Sequence, residues 1–221
     1  MSHICNALHQ LYNKLTIFHF PFNANLLPRN GIYILFEDGE QAHGTNRIVR
    51  VGTHTGNNQL PSRLEQHFIK ENKDRSIFRK NIGRAMLSRD NDPFLDQWEL
   101  DLTTSEAKRK FLPVLDLSKQ KRVERQVSEY IQKHLCFVVC RVNNKKKRLD
   151  WESRLISTVS LCTECRPSPT WLGNYSPKDK ISQSGLWNVN DLYKTPLSES
   201  DFLDLLNECG KPFQEIHIQY Q

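Results

Sequence analysis

The 221-residue sequence has no apolar run long enough to cross a membrane, since a helical span needs roughly 18 or more mostly apolar residues. A basic N-terminal segment followed by an apolar stretch and a small-residue cleavage site is also missing, so no secretory leader is predicted. No internal repeat or low-complexity segment is present. These absences argue against membrane, secreted and repeat architectures. They predict a cytoplasmic (intracellular) chain with one main domain.

The charge is unbalanced in favour of cations. The chain carries 31 Lys and Arg against 25 Asp and Glu, a net charge of +6 with a pI near 9.0. Such a balance favours an anionic partner. Composition alone does not distinguish nucleic acid from a membrane surface as the partner. That distinction depends on the residues of the predicted site.

The six cysteines include one pair with a spacing typical of zinc sites, Cys162 and Cys165 in a CxxC. Cys136 and Cys140 are four apart on a predicted strand, which is not a usual zinc spacing. A structural zinc site needs four ligands, typically two such pairs. The sequence therefore predicts no complete zinc site, and a zinc-stabilised adaptor protein is kept as an alternative. In a reducing compartment all six cysteines are expected to be thiols.

Three runs of β-branched, aromatic and aliphatic residues predict strands, at 30–36, 47–52 and 135–142. The link 37–46 contains Asp38-Gly39 and suits a hairpin with a long loop. Antiparallel pairing of the first two strands is expected to bring Tyr33 and Arg50 to one face. Simple alternation predicts that Ile48 and Arg50 share one side of the second strand.

A helix with a cation and an imidazole on one face follows the second strand. Arg63 and His67 are four residues apart and so leave the helix on the same side. Leu64 and Phe68 share a neighbouring face that can pack on a sheet. A guanidinium binds two phosphate oxygens at once, and a histidine can move a proton near neutral pH. Such a pairing suits phosphate chemistry, whereas taken alone a solvated helical face that happens to carry Arg and His is the commoner explanation, and the flanking segments decide between the two.

Two further basic segments are predicted to contact phosphates, with an ordinary solvated surface as the alternative. One is the outward face of a helix capped by Ser76. The other is a run of four cations before a helix capped by Asp150, which carries Glu152. The predicted nucleic-acid contacts are Arg79, Lys80, Arg84, Lys145, Lys146, Lys147 and Arg148.

In order and spacing these segments resemble the GIY-YIG nuclease family from about Leu27 to Gly173. The first signature stands as Gly31-Ile32-Tyr33, and Arg50-Val51-Gly52 occupies the place where Tyr-Ile-Gly is usual. The helix with Arg63 and His67 and the late Glu152 also match. The string 51–54, Val-Gly-Thr-His, is similar to the compact bacterial restriction-type branch. The family's late Asn is left unassigned between two residues, Thr170 and Asn174.

The resemblance implies a mixed α+β fold with a small central antiparallel three-stranded sheet flanked by helices. We expect an N-terminal extension at 1–29, a nuclease core at 30–173 with an insert at about 88–117, and a C-terminal extension at 174–221. An edge strand is predicted at 216–220.

The resemblance also implies a metal-dependent endonuclease for double-stranded DNA, with a sequence-specific restriction enzyme as its most specific form. Glu152 would hold Mg2+ or Mn2+, and Arg63 would hold the phosphate. Tyr33 would orient or deprotonate the attacking water with help from His67, and Arg50 would add an electrostatic clamp. A homodimer would allow both strands to be cut. The rival is an inactive DNA-binding module, since Arg50 replaces a tyrosine.

Overall fold

The computed structural model describes residues 2–209. Its three strands are β1 (Gly31–Ala42), β2 (Thr45–Gly52) and β3 (Leu135–Arg141), which form one antiparallel sheet in the order β2-β1-β3. The helices are α1 (Ser2–Tyr12), α2 (Leu60–Phe68), α3 (Ile77–Arg89), α4 (Leu95–Trp98), α5 (Ser105–Phe111), α6 (Leu117–His134), α7 (Lys145–Ser160), α8 (Asp179–Ser184) and α9 (Glu199–Cys209). Short 3-10 helices lie at Ala24–Leu26, Lys73–Arg75, Leu112–Val114 and Leu172–Tyr175.

This architecture confirms the predicted α+β fold with a central three-stranded antiparallel sheet. The edge strand expected at 216–220 lies outside the described residues. Within residues 2–209 no helix is both long and apolar enough to cross a membrane. The division into two extensions and a core stays a prediction.

The sheet separates two hydrophobic cores because successive residues of β1 point to opposite sides. Tyr33 and Leu35 point to one side, the site face, and pack with apolar residues of α2, α3 and α6. Ile32 and Ile34 point to the other side, the rear face, and pack with α1, α7 and α9. Leu64 lies in the core of the site face. The predicted support for the helix with Arg63 and His67 is therefore confirmed.

A bulge in β2 changes which side chains share a face. Leu35 pairs with Arg50 and Phe36 with Ile48, so Val49 is an extra residue on β2. The two residues of a bulge that oppose one partner point in similar directions. Arg50 therefore lies on the side of Tyr33, as predicted, whereas Ile48 packs in the rear core. The prediction that Ile48 and Arg50 share a side is wrong because of this bulge.

The hairpin is longer and tighter than the sequence indicated. β1 continues to Ala42, and residues 37–40 bulge opposite Arg47. The chain reverses at His43 and Gly44, which both have positive φ values, 52° and 73°. Such a pair of left-handed residues forms the turn that matches the twist of a hairpin. The predicted long loop at 37–46 is therefore wrong, and the Asp38-Gly39 pair lies in the bulge instead of the turn.

A buried carboxylate in that bulge attaches the segment after α7 to the sheet. Glu37 accepts hydrogen bonds from Trp171 Nε1 at 3.0 Å and from Trp187 Nε1 at 2.8 Å, and also from the Tyr130 hydroxyl. Burial raises the pKa of Glu37 although these donors and Arg47 oppose the rise. Trp187 is thereby held against β2. Its backbone N–H donates to the carbonyl oxygen of Val49, and its own carbonyl oxygen accepts from Arg50.

One pair of cysteines departs from the expected thiol state. Cys140 of β3 and Cys209 of α9 are joined by a disulfide bond. The other four cysteines are free and buried. The expectation of six thiols is therefore wrong for Cys140 and Cys209.

Candidate active site

Two signature glycines leave room for the groups that face them. Gly52 pairs with Tyr33 across the strands, and a Cβ atom on Gly52 would overlap the tyrosine ring and hydroxyl. A Cβ atom on Gly31 would overlap the carbonyl oxygen of Cys140 on β3. Both positions therefore need glycine for close packing, and Gly52 fixes the place of Tyr33.

Replacing Gly52 by Ala is expected to lower the free energy of unfolding by about 1–3 kcal/mol, as overpacking does in a dense core. The displaced ring would also lose its hydrogen bond to His67. Denaturant unfolding of Gly52→Ala measures the change. The matched control is the same substitution in a Tyr33→Ala background, where the space is open. An equal cost in both backgrounds would contradict this account.

A buried hydrogen-bonded chain runs from β1 through α2 to the start of α3. Tyr33 Oη lies 2.7 Å from His67 Nε2, and His67 Nδ1 lies 2.7 Å from Ser76 Oγ. Ser76 caps α3 by accepting from the backbone N–H of Arg79. Burial holds the pKa of His67 well below its usual range, and the charges of three arginines, at positions 63, 50 and 79, add to this. The imidazole is therefore neutral at pH 7 and can accept a hydrogen bond or proton on one nitrogen.

The depressed pKa of His67 predicts a stability change in mild acid. Between its folded-state pKa and about 6.5 the unfolded chain binds the extra proton, so stability should fall as pH falls through this window. Melting temperatures of wild type and His67→Gln from pH 8 to pH 5 measure the effect. The decline below pH 6.5 should be shallower in His67→Gln and unchanged in the exposed control His19→Gln. Parallel curves for all three proteins would sink the prediction.

Arg50 stands where the family usually has a tyrosine, and its surroundings hold it firmly. Its Nη1 donates to the carbonyl oxygen of Trp187 at 2.8 Å, and its guanidinium lies 5.0 Å from the Phe78 ring centroid. Its Nε is buried with no hydrogen-bond partner among residues 2–209. A guanidinium stays charged and cannot act as a base. Arg50 can therefore stabilise negative charge but cannot replace a tyrosine that moves a proton.

Arg63 lines a cleft of about 340 Å³ beside these groups. Its Nη1 donates to Gln66 Oε1 at 3.1 Å and to the carbonyl oxygen of Arg75 at 3.2 Å. The side chain is half-buried, so the remaining guanidinium nitrogens can meet a ligand. The cleft is lined by Thr53, His54, Thr55, Gln59, Ser62, Arg63 and Gln66.

Glu152 comes from α7 and is tied to the end of β2. Its Oε1 accepts from the backbone N–H of Thr53 at 2.9 Å. Burial raises the pKa of Glu152, and the nearby carboxylate Asp191 adds to the rise, whereas Arg50 and Arg63 oppose it. The same two arginines depress the pKa of His67. Their charges therefore reach both groups, which brings four side chains of the prediction into one electrostatic environment.

The donor set suits a hard divalent cation with an incomplete protein shell. Glu152 has one oxygen bound to Thr53, and its Oε2 makes no hydrogen bond within the described chain. A cation beside Glu152 would favour the charged carboxylate and so oppose the rise in pKa that burial causes. Mg2+ commonly takes one or two carboxylates and completes its shell with water and substrate phosphate. The residues present fit that pattern.

The basic face predicted on α3 is not exposed. Arg79 is fully buried and donates to Glu124 Oε2 at 2.8 Å and to the carbonyl oxygen of His67. Lys80 donates to the carbonyl oxygen of Glu99, whose carboxylate pairs with Arg84. The outward orientation predicted for these three cations is wrong because carboxylates of α6 and of the residue after α4 cover α3. They offer no exposed charge to a phosphate.

The second basic run forms the first turn of α7, which starts at Lys145 and is capped by Asn144. The prediction that Asp150 caps this helix is therefore wrong. Two lysines, at positions 145 and 146, are exposed and keep their predicted place at the surface. Lys147 is half-buried, with its Nζ 4.3 Å from the Trp151 ring centroid.

Arg148 lies inside the fold instead of at its surface. It is buried, and it donates to the carbonyl oxygens of Val142, His54 and Gly56. Its predicted exposure is wrong because these backbone acceptors, at the end of β3 and in the loop that lines the cleft, take its donors. Arg148 thus supports the cleft and does not present a cation to DNA.

Sequence reasoning missed two polar residues at the site. His54 lines the cleft, and its Nδ1 lies 2.9 Å from the carbonyl oxygen of Gly56. Its Nε2 is buried without a partner in the described structure. Asn188 bonds both backbone groups of Val51, at 2.9 and 3.1 Å. In the sequence, His54 is indicated only by the string 51–54. Asn188 lies beyond Thr170 and Asn174, the two positions considered for the family's late Asn.

Neither earlier candidate for that Asn touches the site residues. Asn174 is exposed and donates to the carbonyl oxygens of Ser168 and Pro169. Thr170 is exposed and lies 3.2 Å from Ser168. Asn188 instead bonds the backbone of Val51 in the second signature.

Comparison with protein families agrees with this arrangement. A family model described as the GIY-YIG domain matches residues 4–215. Searches of curated proteins and of solved structures give no significant match. Because the family match covers nearly the whole chain, the protein belongs to the GIY-YIG nuclease family.

Proposed function

We propose that the protein is an endonuclease that hydrolyses phosphodiester bonds in double-stranded DNA with Mg2+ or Mn2+. The observation that supports this most is that the charges of Arg63, which lines the cleft, and of Arg50 act on both His67, the hydrogen-bond partner of Tyr33, and Glu152. Phosphodiester hydrolysis needs an activated water, neutralised phosphate oxygens and stabilisation of the leaving oxygen. A sequence-specific restriction enzyme is the most specific form of the proposal.

The residues divide these tasks according to their chemistry. Arg63 faces the cleft with free guanidinium nitrogens and would bind the scissile phosphate. The Tyr33 hydroxyl would orient the attacking water or take its proton, and the neutral His67 would accept the proton of the phenol in turn. Arg50 would stabilise the charge that develops on the phosphate. A divalent cation bound by Glu152 would supply Lewis acidity and lower the pKa of a bound water.

Cleavage of plasmid DNA tests the proposal directly. Purified protein is incubated with unmethylated and methylated plasmid, with Mg2+, with Mn2+ or with no added divalent cation. Discrete fragments that require the cation would support the restriction form, and nicking or smearing would support a nuclease of lower specificity. No cleavage together with a salt-sensitive gel shift would favour the inactive DNA-binding module.

The kinetics of the same reaction bear on the homodimer. One chain carries one such site, so a double-strand break needs two copies or two successive events. Accumulation of nicked circles at low protein concentration, and its loss at higher concentration, would support a dimer. Linear product that appears without a nicked intermediate at every concentration would support a preformed dimer. A nicked intermediate that is independent of concentration would indicate a single chain.

A further inference from the structure

A second group of chemically active side chains lies away from the cleft. Cys5 and His9 come from α1, His43 from the hairpin turn and Cys165 from the segment after α7. One ligand atom from each lies within 4.8 Å of all the others. Cys5 and Cys165 belong to the core of the rear face, opposite to Tyr33. The nuclease proposal gives these four residues, the thiol–imidazole cluster, no role.

The spacing of the cluster fits the edges of a tetrahedron around a metal ion. Cys5 Sγ and Cys165 Sγ are 3.4 Å apart. Cys165 Sγ lies 3.3 Å from His43 Nε2 and 3.8 Å from His9 Nε2. Tetrahedral zinc with ordinary bond lengths would set sulfur atoms ~3.8 Å apart and sulfur and nitrogen ~3.6 Å apart. These three distances thus lie within about 0.4 Å of the edges of a zinc tetrahedron, and the other distances among the four ligand atoms are no longer than 4.8 Å.

His43 has the orientation of a zinc ligand. Its Nε2 faces Cys165, and its Nδ1 lies 3.4 Å from the carboxylate of Glu164. A ligating histidine commonly donates its other N–H to a carboxylate, which fixes the tautomer and strengthens the ligand. The side chain is only 2% exposed, although its turn lies at the tip of a hairpin. Side chains in a hairpin turn are ordinarily exposed to solvent, so the burial of His43 supports its assignment as a ligand.

Two side chains compete for the fourth position. His9 Nδ1 lies 2.9 Å from the carbonyl oxygen of Cys5, which leaves Nε2 directed at Cys165. The backbone N–H of Ile48 also donates to His9 Nε2, at 3.2 Å, and would have to give up that bond. Cys162 is buried, completes the CxxC with Cys165 and lies 3.5 Å from His43 Nε2.

We propose that this cluster is a structural zinc site, with Cys5, His43 and Cys165 as ligands and His9 or Cys162 as the fourth. Thiolate and imidazole ligands in a closed tetrahedron select zinc over hard cations such as Mg2+. The ion would join α1, the hairpin turn and the segment after α7, three parts distant in sequence. It would differ from the Glu152 site in ligand chemistry, position and task.

Metal analysis of the full chain tests the assignment. Protein is purified without chelators, and zinc is measured by mass spectrometry in wild type and in Cys5→Ser/Cys165→Ser. The matched control is Cys136→Ser, a buried free cysteine that is not a member of the cluster. We expect about one zinc per chain in wild type and in Cys136→Ser. The double variant should lose the zinc and melt at a lower temperature.

Cobalt substitution keeps the test decisive even if the double variant fails to fold. Wild-type protein stripped of metal and refilled with Co2+ should show the visible bands of a tetrahedral thiolate complex. Cys162→Ser and His9→Gln then identify the fourth ligand, since only the loss of a true ligand alters those bands. Wild-type protein that stays folded without zinc and takes up no Co2+ would overturn the proposal. So would a Cys5–Cys165 disulfide found in the native chain.

Discussion

Replacing Glu152 by Gln is expected to lower the rate of DNA cleavage by on the order of 10³-fold or more, because the carboxylate proposed to hold the cation is lost. The amide keeps the size of the side chain and can still accept from the Thr53 N–H, so the backbone there should be undisturbed. Single-turnover cleavage at saturating protein separates the chemical step from DNA binding. Binding, measured in the absence of divalent cation, should change little.

The same substitution should not destabilise the protein at neutral pH. A carboxyl group whose pKa is raised in the folded state binds more protons there than in the unfolded chain, so stability falls as pH rises through the window between the two pKa values. Burial raises the pKa of Glu152, and the neutral amide removes that penalty. Glu152→Gln should therefore melt at or above the wild-type temperature at pH 7, with the difference fading in acid.

The control for Glu152→Gln is Asp150→Asn on the same helix. Asp150 is exposed and pairs with Arg154, so this change of carboxylate to amide should alter cleavage less than about twofold, in line with the small weight of exposed ion pairs. Cleavage by Glu152→Gln at the wild-type rate would contradict the proposal that Glu152 binds the cation. Equal losses in both variants would point to the charge of α7 as a whole.

Replacing Arg79 by Met is expected to lower the free energy of unfolding by about 3–5 kcal/mol, the range seen when one partner of a buried ion pair is removed. Glu124 would be left charged and buried without its guanidinium, and Ser128 and the carbonyl oxygen of His67 would lose a donor. Denaturant unfolding monitored by tryptophan fluorescence measures the loss. A second substitution, Glu124→Leu, should recover a large part of it, because it removes the unpaired charge.

The control for Arg79→Met lies on the same helix. Arg89 is half exposed and pairs with the exposed Asp90, so Arg89→Met should cost less than about 1 kcal/mol. The experiment also bears on the corrected orientation of α3. Weaker DNA binding by Arg79→Met with unchanged stability would support the original prediction that Arg79 contacts a phosphate. Lower stability with normal DNA binding of the remaining folded protein would exclude one.

The sequence predicted those parts of the fold and site that depend on local patterns. The strands containing Tyr33 and Arg50 follow from runs of strand-forming residues, and the shared face of Arg63 and His67 follows from helical periodicity. Glu152 was placed by its position after the third strand. The resemblance then supplied roles that the residues alone could not supply.

The remaining features depend on contacts between distant segments. No residue near Arg79 in the sequence indicates that Glu124 will cover it. The amphipathic pattern of the helix therefore predicted an exposed side chain for Arg79. The extra residue Val49 depends on how β2 pairs with β1. The thiol–imidazole cluster draws Cys5, His43 and Cys165 from three separate segments. Within the sequence, Cys162 and Cys165 have the local spacing of a ligand pair, whereas Cys5 and His43 lie more than a hundred residues from Cys165.

The alternation of β1 between the two cores restricts how homologous chains can vary in length. A one-residue insertion or deletion within 31–36 would exchange every side chain between the faces, turning Tyr33 away from His67 and an aliphatic residue toward it. In the bulge at 37–40, where four residues oppose one, Asp38 and Gly39 are exposed and can absorb such a change without reversing the strand. Evolutionary insertions should therefore collect at Asp38 and Gly39, and a scan of single-residue deletions should tolerate them there while rejecting them between Gly31 and Phe36.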